Sequence, residues 1–181
     1  MGYLLKKLNQ VRLIAQPLLY HISPDPNLTV LEPRLPNYLL GDEAKEAEFE
    51  DLKTKRVCFA TTIDGCLLGI QINEKKVFKD LPYVDWWLYL PEVDSKTKTV
   101  SNKELIDRQL VFDAHITGEW WITNPIKVKR YAKIRIYAYG KGCKEIPFKP
   151  YDGKKKLDPK WLNPKGEIIT YLPQWEILQY D

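Results

Sequence analysis

Three short segments place polar side chains that could bind a ligand within apolar runs typical of buried strands. The first carries His21 in the run at residues 18–22. The second ends an apolar run with Thr61 and Thr62, and the third embeds Glu119 among aromatic and β-branched residues. Imidazole, hydroxyl and carboxylate groups are the side chains that most often bind substrates and transfer protons. Each segment is therefore a candidate part of a site.

Each segment also has an ordinary structural explanation when it is taken alone. A single histidine in an apolar strand is more often a hydrogen-bonded core or surface residue than a ligand. Thr61 or Thr62 before a helical pattern is a typical helix cap. An unpaired buried glutamate is costly, so Glu119 is expected to be exposed, paired or functional.

The familiar signatures of nucleotide, metal and hydrolase sites are absent from the chain. It has no GxxxxGK[ST], no GxGxxG after a strand, no HExxH and no GxSxG. Cys58, Cys66 and Cys143 are not clustered, and the histidines His21 and His115 are far apart. The sequence therefore predicts neither a disulfide framework nor a metal site, and its thiols are typical of a reducing cytoplasm.

Charge is distributed unevenly along the 181 residues, although the net charge is only +4. Residues 42–51 contain six acidic side chains and one lysine. Residues 127–156 contain eleven basic and two acidic side chains, a local charge of 11 − 2 = +9. This pattern fits either solvated surface segments or a face that binds an anionic partner. The candidate partner-binding residues in the basic segment are Lys129, Arg130, Lys133, Arg135, Lys154, Lys155 and Lys156.

The hydrophobic pattern predicts a single α+β domain over residues 1–181, dominated by antiparallel sheet with one or two helices. The only clear helix is predicted after Thr62, through residue 70. No apolar run is long enough for a membrane span, and the first sixteen residues lack the core of a signal peptide. We therefore expect a cytoplasmic protein. Strands are predicted at 18–22, 56–60, 84–90, 110–112, 116–122, 128–139, 167–172 and 175–178, with a polar turn at 94–102 and a long connection at 31–51.

In their order along the chain, the three segments resemble the layout of the ADP-ribosyltransferase fold. In that family an early strand carries His or Arg, a second strand ends in a hydroxyl residue before a helix, and a later strand carries a catalytic Glu. The resemblance implies an ADP-ribosyltransferase-like fold with NAD as the substrate. His21, next to Tyr20, would bind a ribose hydroxyl, and Thr61 or Thr62 would lie beside the nicotinamide. Glu119 would orient the acceptor and stabilise the oxocarbenium-like transition state.

Two assignments within this resemblance stay open. The tyrosine that would stack on nicotinamide could be Tyr38 or Tyr83, and Glu176 competes with Glu119 for the catalytic role.

The segments at residues 19–23, 54–60 and 115–121 also resemble small uncharacterised proteins encoded by bacteriophages and mobile elements. That resemblance implies a counter-defence role in the cytoplasm of a bacterial host, including inhibition of CRISPR–Cas. The protein would be an NAD-dependent ADP-ribosyltransferase that modifies a host protein. Alternatively, it would be a non-enzymatic inhibitor, of the anti-CRISPR type, that binds a Cas nuclease, another defence protein or its nucleic acid through the basic segment. A basic, aromatic nucleic-acid-binding protein of ordinary cellular role is the third hypothesis.

Overall fold

The computed structural model describes residues 17–35, 51–70, 77–78, 81–111, 113–138, 140, 142–149 and 162–181. Antiparallel strands make up most of the regular secondary structure in these residues, with a few short helices, so the predicted α+β class is confirmed. The similarity to the ADP-ribosyltransferase fold stays a prediction. In chain order the elements are β1 His21–Ser23, β2 Val30–Leu31, β3 Val57–Ala60, α1 Ile63–Gly69, β4 Tyr83–Pro91, β5 Thr99–Val100, α2 Asn102–Asp107, α3 Ala114–Thr117, β6 Glu119–Ile122, β7 Ile126–Tyr137, β8 Lys144–Phe148, β9 Ile168–Leu172 and β10 Trp175–Tyr180.

The strands of the described residues form three antiparallel sheets. The largest has the order β1-β4-β7-β10, with β2 paired to the other end of β7. The second has the order β3-β6-β5, and β8 pairs with β9 in the third. Strand β4 separates two hydrophobic clusters, because Leu88 packs in the cluster on one face and Tyr89 in the cluster on the other. Within the described ranges, no helix is long and apolar enough to cross a membrane.

Helix α1 begins where the sequence predicts. The Thr62 hydroxyl accepts a hydrogen bond from the Gly65 amide at 2.9 Å, which is an N-cap. Leu67 and Leu68 then pack into the core beneath the largest sheet. A Cβ added to Gly65 would lie only 1.9 Å from the Thr117 carbonyl oxygen, so this glycine allows α1 to approach α3 closely.

Helix α2 begins at the last residue of the predicted turn and covers residues for which no element was predicted, whereas α3 replaces the start of a predicted strand. Ser101 and Glu104 form a capping box that starts α2, a local signal that the prediction of a turn overlooked. The predicted strand at 116–122 begins only at Glu119, because α3 occupies the preceding residues and ends at Gly118 with φ of 64°. That left-handed conformation favours glycine and redirects the chain into β6.

Candidate functional site

His21 lies at the edge of the largest sheet, with its imidazole held by the neighbouring sheet. Its Nδ1 is 3.0 Å from the Cys58 carbonyl oxygen, and its ring centroid is 5.5 Å from that of Phe59. A carbonyl only accepts, so Nδ1 carries the proton and Nε2 is the acceptor. Burial lowers the pKa of His21, the bond to the Cys58 carbonyl opposes this, and the Arg34 charge lowers the pKa further. The ring is therefore neutral at neutral pH.

His21 lines a cavity of about 200 Å³ between β1, β2 and β3. The polar side chains of its lining are the imidazole of His21, the guanidinium of Arg34 and the carboxylate of Glu32, and Arg56 also belongs to the lining. Arg56 is buried and stacks over the Trp121 ring at 4.1 Å, whereas Arg34 is exposed. Such a set could bind an anionic ligand that also carries a hydroxyl group. The lining residues are His21, Leu31, Glu32, Arg34, Arg56, Val57 and Cys58.

Glu119 lies on the other face of the β3–β6 ladder from His21. It is opposite Ala60, and its carboxylate accepts a hydrogen bond from Trp121 Nε1 at 2.6 Å. Side chains alternate between the two faces along a strand, so Phe59, and the imidazole of His21 packed on it, are on the opposite face. The structure therefore does not bring His21 and Glu119 together into one site.

The other predicted ligand-binding residues have structural contacts. Thr62 caps α1, and the Thr61 amide donates to the Gly118 carbonyl at 3.2 Å. A Cβ added to Gly118 would lie 2.5 Å from Thr61 Oγ1, so Thr61 packs tightly on the turn before Glu119. The Tyr20 backbone pairs with Ala60 through both its amide and its carbonyl. Thr61 therefore contacts the turn before Glu119, and Tyr20 immediately precedes β1.

The charge of Glu119 acts on a second carboxyl group, Asp113, at the start of α3. Asp113 is only 8% exposed and precedes α3 without a side-chain capping bond. Burial, and then the charge of Glu119, raise the pKa of Asp113 to about 7. Sequence reasoning did not single out Asp113, because the predicted strand at 116–122 left no helix for Asp113 to precede. The only local signal in the sequence was Gly118, which can end a helix, between Asp113 and Glu119.

Neither thiol of this region is an activated nucleophile. Burial, and then the Glu119 carboxylate, raise the pKa of Cys58 well above its ordinary value. The Cys58 side chain is exposed to solvent, so the carboxylate is the cause that the geometry supports directly. Burial raises the pKa of Cys66 to about 12. Because the thiolate is the reactive form, both groups are inert at neutral pH.

The predicted basic residues of β7 do not form one continuous row. A bulge in the pairing with β4 places Arg130 on the same face as Lys133, where both lie over the Trp87 ring, at 4.6 and 5.6 Å. Lys129 pairs with Leu90 and points to the other face. Lys154, Lys155 and Lys156 lie outside the described residues.

Carboxylates neutralise the basic side chains that share the Trp87 face. Asp85 binds Arg135 at 2.8 Å and Lys133 at 3.1 Å, and the Arg135 bond contributes most to holding the pKa of Asp85 below its ordinary value. Arg130 pairs with Asp181. Arg135 also lies 3.7 Å from the centre of the Tyr83 ring. We call this surface the aromatic–charged face: Tyr83, Asp85, Trp87, Arg130, Lys133, Arg135, Tyr137, Glu176 and Asp181.

No protein-family model, curated protein or solved structure matches this chain. The described residues also contain no group of three or more His, Cys, Asp or Glu side chains that could hold a metal ion. The two resemblances noted in the sequence therefore stay predictions, and the function is argued from the surfaces described above.

Proposed function

We propose that this protein is a non-enzymatic binding module that docks on a protein partner through the aromatic–charged face. The supporting observation is that each of the three cations of this face, Arg130, Lys133 and Arg135, contacts both a carboxylate and an aromatic ring. The exposed fractions of the Asp85, Lys133 and Arg135 side chains are 23%, 30% and 25%. Among the described residues, nothing therefore covers these side chains completely, and a partner could reach them. Tyr83 is 39% exposed.

The composition of this face favours a protein partner over nucleic acid. Nucleic-acid binding depends on cations that neutralise phosphates. Here Arg130, Lys133 and Arg135 are balanced by Asp85, Glu176 and Asp181, so phosphates would meet as many negative as positive charges. Tyrosine, tryptophan and arginine are the residues that most often dominate protein interfaces.

The contacts within the face also reduce the cost of binding. Asp85 and the Tyr83 ring hold the Arg135 guanidinium, and Tyr137 donates a hydrogen bond to Glu176 at 2.5 Å. Side chains that are ordered before association lose less entropy on binding. A preorganised, charge-balanced face suits a partner surface of mixed apolar and polar character.

The resemblance to phage-encoded proteins supplies the biological setting of this proposal. A protein that docks on a defence nuclease, such as a Cas nuclease, would inhibit it without chemistry of its own. The chain's own residues would then contribute affinity and steric blockage only, and Glu119 would have no catalytic role.

The test is phage plating on a bacterial host with an active CRISPR–Cas system, with and without expression of the protein. We expect the wild type to restore plating, and Glu176→Lys and Tyr83→Ala to lose most of this effect. Glu145→Lys is the matched control, because Glu145 is also an exposed strand glutamate but belongs to β8. Full activity of both face variants, or no protection by the wild type, would contradict the proposal.

Salt dependence separates the two kinds of partner. Binding of the purified Cas nuclease should change less than about tenfold between about 0.05 and 0.5 M salt, since the cations of the face are already paired. A loss of affinity of about a thousandfold would instead indicate phosphate contacts and nucleic acid.

A second candidate function is NAD binding in the cavity lined by His21. The acceptor Nε2 of His21 and the guanidinium of Arg34 could bind a ribose hydroxyl and a phosphate of NAD, respectively. ADP-ribosyl transfer would further require Glu119 to reach the ligand from the other face of the ladder. This candidate is therefore limited to binding.

Saturation-transfer NMR with NAD tests this second candidate. We expect signal with the wild type and with Glu119→Ala, and none with His21→Ala. His115→Ala is the matched control, because His115 is exposed on α3 and does not line the cavity. Absence of transfer in the wild type, or unchanged transfer with His21→Ala, would rule out this site.

A further inference from the structure

We infer that the cavity lined by His21 binds a free amino acid with an aliphatic side chain, through both its carboxylate and its ammonium group. The inference rests on the lining of this cavity alone and depends neither on the docking face nor on NAD. It follows from backbone groups that two neighbouring segments direct into the cavity without bonding to each other.

Strand β3 presents one edge to β6 and the other edge to the cavity. On the cavity side, both backbone groups of Ala60 pair with Tyr20, at 2.8 and 3.0 Å. Those of Arg56 pair in the same way with Arg34, at 3.0 and 3.1 Å. Alternate residues of an antiparallel strand direct their backbone groups to the same edge, so the amide and the carbonyl of Cys58 also face the cavity.

The segment that carries Glu32 is splayed away from this edge of β3. Glu32 lies two residues before Arg34, so continued antiparallel pairing would place it opposite Cys58. Within the described ranges, however, no hydrogen bond joins Glu32 to Cys58 and none reaches the amide of either residue. The His21 ring fills part of the gap, because its Nδ1 donates to the Cys58 carbonyl at 3.0 Å. The amides of Glu32 and Cys58 therefore remain available to a ligand.

Two backbone amides and a guanidinium group suit a carboxylate. Backbone amides are strong donors, and a carboxylate oxygen is the acceptor with which they form the shorter, charge-assisted bonds. Arg34 also lines the cavity, and its exposed guanidinium can bind the same carboxylate. The site does not require Arg56, whose guanidinium stacks on Trp121 and donates to the Asp51 carbonyl.

The acceptors of the same cavity suit an ammonium group. Nδ1 of His21 carries the proton of the neutral imidazole, so Nε2 is an acceptor. Glu32, which also lines the cavity, has two further acceptors, its backbone carbonyl and its carboxylate. A ligand that carries both a carboxylate and an ammonium group uses both sets of partners.

The apolar lining and the volume of the cavity limit the rest of the ligand. Leu31 and Val57 are buried aliphatic residues of the lining. The cavity of about 200 Å³ is smaller than the roughly 300–1,000 Å³ of typical sites for drug-sized ligands and cofactors, so it suits a compact molecule. Leucine combines the two charged groups with an aliphatic side chain of suitable size.

The test follows the backbone amide NMR signals of Glu32 and Cys58 in the full chain while leucine is added. We expect both signals to move downfield and to saturate, because each amide gains a carboxylate acceptor. Isoamylamine lacks the carboxylate and 4-methylpentanoate lacks the ammonium group, so each should bind at least about tenfold more weakly than leucine. Signals that do not move with leucine, or equal affinity for either analogue, would overturn the inference.

The variant Arg34→Gln tests the guanidinium separately. Arg34 is exposed and its bonds to Arg56 are made by the backbone, so the variant should fold. It should weaken leucine binding by about tenfold or more. Arg108→Gln, the matched control at the exposed C-terminal end of α2, should leave binding unchanged. Equal affinity of the wild type and Arg34→Gln would contradict the proposed carboxylate site.

NAD in place of leucine separates this inference from the second candidate function. Amide signals that move with NAD but not with leucine would refute the amino-acid site and support NAD binding. Signals that move with leucine but not with NAD would support the amino-acid site and remove the second candidate. Neither result changes the expected loss of docking in Tyr83→Ala, so failure of this inference is distinguishable from failure of the docking proposal.

Discussion

Replacing Asp113 with asparagine should stabilise the protein at alkaline pH and have little effect at acidic pH. The native state keeps Asp113 in a buried position, where its charged form is disfavoured. Asparagine has nearly the same size and no charge to desolvate. The variant therefore avoids a cost that the wild type bears only when Asp113 is ionised.

The size of this stabilisation follows from the difference in the proton affinity of Asp113 between the native and the unfolded state. The pKa of Asp113 rises from 3.8 in the unfolded chain to about 7 in the native state. Each tenfold change in proton affinity is worth about 1.4 kcal/mol, so ionisation costs the native state at most about 4 kcal/mol. A typical native protein is stable by only about 5–15 kcal/mol, so the effect is large.

The raised pKa of Asp113 also determines the sign and the pH range of its effect on the free energy of unfolding. Below about pH 4 Asp113 is protonated in both states, and the wild type bears no cost. Between about pH 4 and pH 7 the native state binds the proton that the unfolded state has released, so stability falls as pH rises. Above about pH 7 the cost is complete and constant.

The assay is urea denaturation of the wild type and Asp113→Asn at several values from about pH 4 to about pH 8.5. The difference in the free energy of unfolding should grow by about 2–4 kcal/mol across this range, in favour of the variant. Asp107→Asn is the control, because Asp107 is exposed on α2 and should show a flat difference. A flat difference for Asp113→Asn as well would refute the reasoning about its burial.

Four further substitutions test other contacts of the fold. Thr62→Ala should lower the free energy of unfolding by about 1 kcal/mol through loss of the α1 cap, measured by the same denaturation. Gly65→Ala should destabilise by about 1–3 kcal/mol because a Cβ has no room against α3. Gly69→Ala in the same helix has open space and should stabilise by up to about 1 kcal/mol, and similar results for the two glycines would contradict this account. Asp85→Asn should release Lys133 and Arg135 and increase salt-sensitive DNA binding in a mobility-shift assay; unchanged DNA binding would show that Asp85 is not what neutralises the face.

Local signals in the sequence were sufficient to predict the helices and strands that are determined by residues close together in the chain. The cap at Thr62 and the apolar pattern after it predict α1, and alternation predicts most of β7. The capping box of Ser101 was equally local and was overlooked. The helix α3 is different, because its four residues carry no periodicity that could distinguish them from the start of β6.

The relative placement of the candidate residues depended on the register between strands. His21, Thr61, Thr62 and Glu119 follow an order that resembles a known layout, but order does not specify which face of a sheet a side chain occupies. A shift of one residue reverses the face, and Glu119 aligns with Ala60 rather than with Phe59, on which His21 packs.

By itself, the sequence determined the α+β class, the antiparallel character and the cap of α1, since these follow from periodicity and local hydrogen bonds. Only the tertiary structure decided three other features: the separation of His21 from Glu119, the burial of Asp113, and the bulge that groups Arg130 with Lys133. These features arise from contacts between residues distant in sequence. Such contacts are set by register, bulges and packing, which one-dimensional patterns of residues do not encode.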